Sequence, residues 1–161
     1  MVDYSITELN ISSKRLTELP DDIDKYTNLK ILKCWYNNLT SLDNLPPKLE
    51  VLYCYNNKIT SLDNLPSTLK ELHCSNNQIT SLDNLPPNLK TLSCYHNEIN
   101  SLDNLPLKLE VLNCNYNNIT SLDNLPPILK ELYCRYNPLI YDFKPTLKNI
   151  RNYNASRMLS S

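Results

Sequence analysis

The tract SLDNLP stands at residues 41–46, 61–66, 81–86, 101–106 and 121–126, and cysteines stand at 34, 54, 74, 94, 114 and 134, all on one 20-residue period. A unit this short cannot bury an apolar face by itself. Each copy must stack on its neighbours into a solenoid, so function is expected on a surface rather than in a pocket. At 161 residues the unbroken period leaves room for one continuous core and no second domain of ordinary kind.

Residues 49–68 serve as a specimen. Leu49, Leu52, Cys54, Asn57, Ile59, Leu62, Leu65 and Pro66 give the frame LxxLxCxxNxIxxLxxLP. Leu52 and Cys54 alternate with Val51, Tyr53 and Tyr55, the period of two that marks a strand with one buried face, and a short strand is predicted over about 51–55. Successive strands joined by a full coil must be parallel. Twenty residues leave too little chain for a regular helix on the return path, so the convex side is predicted to be extended or tightly turned.

Six cysteines, Cys34, Cys54, Cys74, Cys94, Cys114 and Cys134, hold one place in the repeat, which makes their role positional: a ladder of reduced, buried thiols acting as small apolar residues. Zinc is not indicated, since ligand pairs usually sit two to four residues apart, and His73 beside Cys74 points to the opposite face of its strand. Asn37, Asn57, Asn77, Asn97, Asn117 and Asn137 form a second column just after each strand, where the chain turns inward and would leave backbone groups unpaired. An unpaired buried group costs about 1–3 kcal/mol, so these carboxamides are assigned a structural bonding role. Asp43, Asn44 and Pro46 with their copies read as turn chemistry. The chain has no glycine, which predicts that any left-handed backbone position is held by Asn or Asp.

The pattern LxxLxCxxNxIxSLxxLP, running from about Ile6 to Leu139, resembles the short leucine-rich repeats of bacterial effector type, and also the leucine-rich repeat proteins of giant DNA viruses that infect amoebae. The resemblance implies an α/β horseshoe-class solenoid with parallel strands on a concave face that usually binds protein. It implies no enzymatic activity here. Effectors of this type often carry a separate ubiquitin-ligase domain with a catalytic cysteine, and all six cysteines of this chain are taken up by the repeat.

The ends depart from the frame. The first copy has Ile11 for Cys and Lys14 for Asn, then the insert DDIDKYTN, where Asp21 or Asp22 is predicted to cap a short helical turn that packs Ile23 and Tyr26 over the core. After Asn137 the frame dissolves, and Phe143, Leu147, Ile150 and Tyr153 are spaced for one face of a short helix starting near Pro145. The expected division is residues 1–27 as edge repeat and cap, 28–139 as 20-residue repeats, and 140–161 as C-terminal cap with a tail frayed beyond about 155.

A longer period of 60 is also visible: residues 28–78 and 88–138 differ at 18 of 51 positions, and the three outward strand columns supply nine of those. Every pair in those columns differs: Lys33/Ser93, Trp35/Tyr95, Tyr36/His96, Tyr53/Asn113, Tyr55/Asn115, Asn56/Tyr116, His73/Tyr133, Ser75/Arg135 and Asn76/Tyr136. Drift at exposed sites explains change, but the content of the change is aromatic. Seven of the 11 tyrosines, the one tryptophan and both histidines fall there. Tyr and Trp are favoured at binding surfaces, whereas cross-strand aromatic pairing of about 0.2–1 kcal/mol per pair is the structural alternative. Trp35, Tyr36, Tyr53, Tyr55, His73, Tyr95, His96, Tyr116, Tyr133, Arg135 and Tyr136 are therefore the expected partner-binding residues.

Sixteen basic and 17 acidic side chains leave a net charge of −1, and the column Lys30, Glu50, Lys70, Lys90, Glu110, Lys130 alternates in sign at four of its five steps. Such a surface has no uncompensated basic stripe for nucleic acid and no field to hold an anionic membrane. The start MVDYSITELNISS lacks a basic stretch followed by an apolar run, which predicts an intracellular protein. Serines 41–121 and aspartates 43–123 are copies of one another, unlike a catalytic residue, and no phosphate-cradling glycine loop exists. No catalytic residue, cofactor or metal is expected. The expected function is non-catalytic binding of a protein partner through an aromatic-rich concave sheet, with a self-assembling scaffold as the alternative.

Overall fold

In every repeat the leucine two places before the cysteine must face inward while its neighbours face solvent, and only an extended backbone gives that alternation. In the computed structural model, which describes residues 2–158, the result is seven strands: β1 (Glu8–Asn10), β2 (Ile31–Lys33), β3 (Val51–Tyr53), β4 (Glu71–His73), β5 (Thr91–Ser93), β6 (Val111–Asn113) and β7 (Glu131–Tyr133). They form one parallel sheet in chain order. Register steps by one repeat, Leu32 opposite Leu52 and Leu52 opposite Leu72, so each sequence column becomes a straight row across the sheet.

The strands are assigned shorter than the sequence suggests, yet their hydrogen bonding runs on. Cys54 N donates to His73 O at 2.9 Å and Asn56 N to Ser75 O at 2.9 Å. The chain turns away at residue 56, which is left-handed (φ 56°).

Behind the sheet lies one continuous core. Leu29, Leu32, Cys34 and Leu39 are wholly buried, as are Leu49, Leu52, Cys54 and Ile59 one turn on, and the pattern recurs through Ile119. The return path carries turns in place of helices, as the repeat length requires.

The asparagine column joins turns together. Asn57 Nδ2 donates to Cys34 O of the preceding turn at 3.1 Å and to Cys54 O of its own at 3.0 Å, while its Oδ1 accepts from Leu39 N at 3.0 Å. Asn77, Asn97, Asn117 and Asn137 repeat that set, and Asn37 makes the equivalent bonds to Leu16 N, Ile11 O and Cys34 O, with Lys14 N as a further donor to its Oδ1.

Two expectations are corrected. Left-handed positions are not confined to Asn and Asp: Ser13, Arg15, Tyr36, His96, Tyr116 and Tyr136 join Asn44, Asn56, Asn64, Asn76 and Asn84 there. A left-handed turn costs about 1–2 kcal/mol at a non-glycine residue. The cross-strand bond and the carboxamide bonds to neighbouring carbonyls outweigh that cost whatever side chain is present.

The insert does form a 3-10 turn, Ile23–Lys25, with Ile23 and Tyr26 buried, but Asp22 makes no side-chain cap. Its carboxylate instead accepts from Tyr4 Oη at 2.6 Å, because Tyr4 stacks edge-on against Tyr26 and places its hydroxyl there.

At the other end α1 (Leu147–Met158) is capped by Thr146, whose Oγ1 accepts from Asn149 N at 3.2 Å. Ile150 is fully buried, and Tyr153 packs on Tyr141 and Phe143. The helix runs to Met158, into the stretch expected to fray beyond about 155, and residues 159–161 lie outside the described residues. Arg151 donates to Pro127 O and Leu129 O and Asn154 to Leu122 O and Asp123 O, tying the helix over the last turn. No helix among the described residues is long and apolar enough to cross a membrane.

Candidate functional site on the concave sheet

Strand alternation and in-register stacking place Lys33, Tyr53, His73, Ser93, Asn113 and Tyr133 in one row of the solvent-facing side. Trp35, Tyr55, Ser75, Tyr95, Asn115 and Arg135 follow along the second, and the left-handed residues Tyr36, Asn56, Asn76, His96, Tyr116 and Tyr136 along the third. Nine of the eleven expected partner-binding residues fall into two ring clusters.

The first cluster covers β2 to β4. Trp35 and Tyr55 are parallel, 5.4 Å between centroids; Trp35 meets Tyr53 edge-on at 6.0 Å, and Tyr36 meets Tyr55 at 5.9 Å. Tyr53 lies flat on His73 at 4.6 Å. The second cluster climbs the left-handed row: Tyr95 meets His96 edge-on, His96 stacks on Tyr116 at 4.1 Å, and Tyr116 on Tyr136 at 4.2 Å. Cross-strand stacking therefore accounts for part of the aromatic content. It leaves the ends of both clusters open, with Tyr36 and Tyr136 59% and 68% exposed.

Tyr133 and Arg135 stand apart from both clusters. Tyr133 Oη donates to Glu131 at 3.0 Å, which pushes the phenol above its ordinary value. Arg135 has an exposed guanidinium beyond Asn115, whose Oδ1 accepts from its amide.

Sequence reasoning missed Ser75. It counts as an outward residue by pattern but is only 2% exposed, with Oγ 3.1 Å from Ser93 Oγ. The signal was present: a small residue flanked in its row by Tyr55 and Tyr95. Proximity to Tyr36, Tyr95 and Tyr53 adds to burial in raising the Tyr55 phenol. Tyr55 and Tyr95, one from each cluster, thus approach each other over the buried Ser75 and its half-buried partner Ser93.

Electrostatics on this face are muted. His73 is pushed below its ordinary value by burial, and Glu71 at 3.9 Å opposes that shift only in part. Beside the sheet, Glu50 takes Lys30 at 3.4 Å and Lys70 at 2.6 Å, while Glu110 takes Lys90 at 3.9 Å and Lys130. These are the four opposite-sign steps of the sequence column, and the lysines hold both carboxyls below the usual range.

Elsewhere the chemistry is that of turns and packing. Ser61 Oγ donates to Asp63 Oδ2 at 2.6 Å and accepts from Asp63 N at 3.0 Å, and Ser81 and Ser101 repeat both bonds, a local turn lock. The six thiols are free and buried, and burial raises them, Cys34 and Cys74 to about 12. No group of three or more His, Cys, Asp or Glu among the described residues is placed to hold a metal ion.

Comparison with known proteins adds the lineage of this geometry. The family model for leucine-rich repeats (two copies) matches residues 27–67, 47–87 and 67–107. No curated protein sequence matches the chain at a significant level. Among solved structures, the leucine-rich repeat domain of a Shigella effector superposes with TM-score 0.77 at 33% identity, over 84% of this chain and 61% of its own. YopM of Yersinia pestis, described as a leucine-rich effector, gives 0.74 at 33% identity over 87% and 46%. InlJ of Listeria monocytogenes, whose functional domain is described as including a cysteine ladder, gives 0.73 at 38% over 88% and 33%. The chain thus spans between a third and three fifths of each of these relatives.

Proposed function

This chain belongs to the leucine-rich repeat family, and from that premise we propose that it is a non-catalytic module that binds a partner protein on its concave sheet. The observation that carries the reading is the pair of ring clusters on the solvent side, where repeats that are otherwise near-copies differ most. Rigid aromatic side chains give large contact area at low entropic cost. Rings stacked on one another, as Trp35 on Tyr55, His96 on Tyr116 and Tyr116 on Tyr136, form a preorganised surface with phenol hydroxyls that suits a protein offering hydrogen-bond partners, and among the described residues no uncompensated basic stripe runs beside them for nucleic acid.

The assigned contact residues are Trp35, Tyr36, Tyr53, Tyr55, His73, Tyr95, His96, Tyr116, Tyr133, Arg135 and Tyr136. Self-neutralised lysines beside the sheet argue against phosphate-rich or membrane partners. The resemblance to repeat proteins of amoeba-infecting viruses would make the partner a host protein and the site of action the host cell interior.

The test is affinity capture with the parent chain beside a variant carrying Trp35→Ala, Tyr55→Ala, Tyr95→Ala and Tyr136→Ala, both checked for equal folding. A protein retained by the parent and lost from the variant is the expected result. Equal retention by both would remove the concave face from consideration. The scaffold reading rests on the exposure of Tyr36 and Tyr136. It requires a mass that rises with concentration and falls back in the variant.

A further inference from the structure

Every strand but the last hands the same groups to its successor. The amide of the ladder cysteine donates across, as Cys114 N does to Tyr133 O at 2.8 Å, and so does the left-handed residue, as Tyr116 N does to Arg135 O at 2.9 Å. In return the carbonyl of the charge column accepts, as Glu110 O does from Lys130 N at 2.7 Å and Glu131 N at 3.1 Å. On β7 the equivalent groups are Cys134 N, Tyr136 N and Lys130 O, and among the described residues none of them has a partner. Beside them runs a groove of about 490 Å³ between the strand and the segment Lys144–Leu147.

We infer that the free edge of β7 is a docking site for an extended peptide that carries a carboxylate and adds as an eighth parallel strand. Unpaired strand edges are templates for such addition, in which main-chain bonds supply affinity and side chains supply selectivity. Charge sets the selectivity here. Arg135 and Lys144 are exposed at the groove, and among the described residues no carboxylate lies within ion-pair distance of either.

A second copy fits the edge poorly. In the sheet register its β1 would set Glu8 beside Glu131, two like charges on neighbouring strands. A stacked repeat would also need the end of the core, which α1 covers with Ile150 and fastens through Arg151 and Asn154. A single strand needs only the edge. The edge shares Arg135 and Tyr136 with the proposed concave contact set but uses the main-chain amide of Tyr136 and not its ring, so amide exchange with a peptide and capture of a partner by the rings can fail separately.

The probe is the peptide acetyl-Thr-Val-Leu-Thr-Val-Glu-Asn-amide, whose Glu falls beside Arg135 in the extended register, read by amide hydrogen exchange on the full chain. Saturating peptide is expected to slow exchange at Cys134 and Tyr136 by about tenfold or more, with Cys114 and Tyr116 slow throughout. The double variant Arg135→Glu/Lys144→Glu, checked for folding, should weaken binding about three- to tenfold, and a peptide with Lys in place of Glu should restore it. Unchanged exchange at Cys134 and Tyr136 would overturn the proposal. Protection already present in the dilute free chain, or rising with protein concentration without peptide, would overturn it too, the latter assigning the edge to a second copy. Indifference of the double variant to peptide charge would overturn the carboxylate.

Discussion

The imidazole of His96 lies flat on the ring of Tyr116, 4.1 Å between centroids and 9° from parallel, although both residues sit in the left-handed region at φ 52° and 54°. The row that carries the most exposed rings is therefore also the row where the backbone is least tolerant of large side chains. The rings are held there against a local conformational cost. That coupling makes the row sensitive to β-branching in a way that an ordinary exposed strand is not.

Tyr36 isolates the effect, because it is exposed and touches only Tyr55 among the rings. Tyr36→Gly removes the left-handed cost and the edge contact together and should leave stability within about 1 kcal/mol of the parent. Tyr36→Val loses the same contact and introduces a β-branched residue at φ 52°, and should cost about 2 kcal/mol or more. Urea unfolding of the two variants checks the order, and equal loss in both would show that the ring contact alone matters.

Asn97 stands in the middle of the carboxamide ladder and is 9% exposed. Asn97→Ala strands Ile79 N, Cys74 O and Cys94 O, and at about 1–3 kcal/mol for each unpaired buried group the loss should exceed 3 kcal/mol. Asn137→Ala removes the corresponding bonds at the more open end of the array, where water can replace them, and should cost less. Denaturant midpoints at matched slope distinguish the two.

Stability should fall as the solution is acidified, first through His73. Burial lowers its pKa in the folded chain, so the unfolded chain takes up the proton first. The contribution is complete above the ordinary histidine value of about 6.5 and is lost as pH falls through that value toward the lowered one. Glu50 and Glu110, held down by their lysines, act in the same direction at lower pH: their contribution is complete above the ordinary carboxylate range and is lost as pH falls through their lowered values. His73→Asn should flatten the stability profile between pH 7.5 and 5.5, and Glu50→Gln/Glu110→Gln should flatten it below. An unchanged slope in His73→Asn would assign the upper window elsewhere.

Cys134 should be the first thiol to react. It is 5% exposed where Cys54, Cys74, Cys94 and Cys114 are wholly buried, and burial raises its pKa without the neighbouring cysteines that act on Cys54 and Cys94. Thiolate is the reacting form, so the interior ladder should resist alkylation until the chain unfolds. Mass spectrometry of partial labelling is expected to find the first adduct on Cys134. Adducts spread evenly over all six would mean that the array opens along its length.

Repetition made much of this legible. Leu32, Cys34 and Asn37 recur at one spacing in successive units, and the core, the parallel sheet and the inward carboxamides follow from the period alone. The ion-pair steps along Lys30 to Lys130 were also readable, because in-register stacking turns spacing into adjacency. The ends were less so. Asp22 looked like a helix cap, yet its partner is Tyr4, 18 residues earlier and outside the frame. Ser75 looked exposed because pattern assigns direction, while cover depends on how far Tyr55 and Tyr95 reach across it.

What the sequence determined by itself is everything set by translation: one repeat, propagated, dictates the solenoid, its buried thiols and the straight outward rows along which the non-repeating aromatics stand. What only the tertiary structure decided is everything that depends on where propagation stops or where rows lean on each other. That includes the left-handed turn imposed on Tyr36, His96, Tyr116 and Tyr136, the ring clusters that spend their faces on one another, and the free amides of Cys134 and Tyr136 at the last strand. The physical reason is that periodicity specifies contacts between equivalent positions, whereas side-chain packing across rows and the unpaired groups of a terminal strand arise between positions that no period relates.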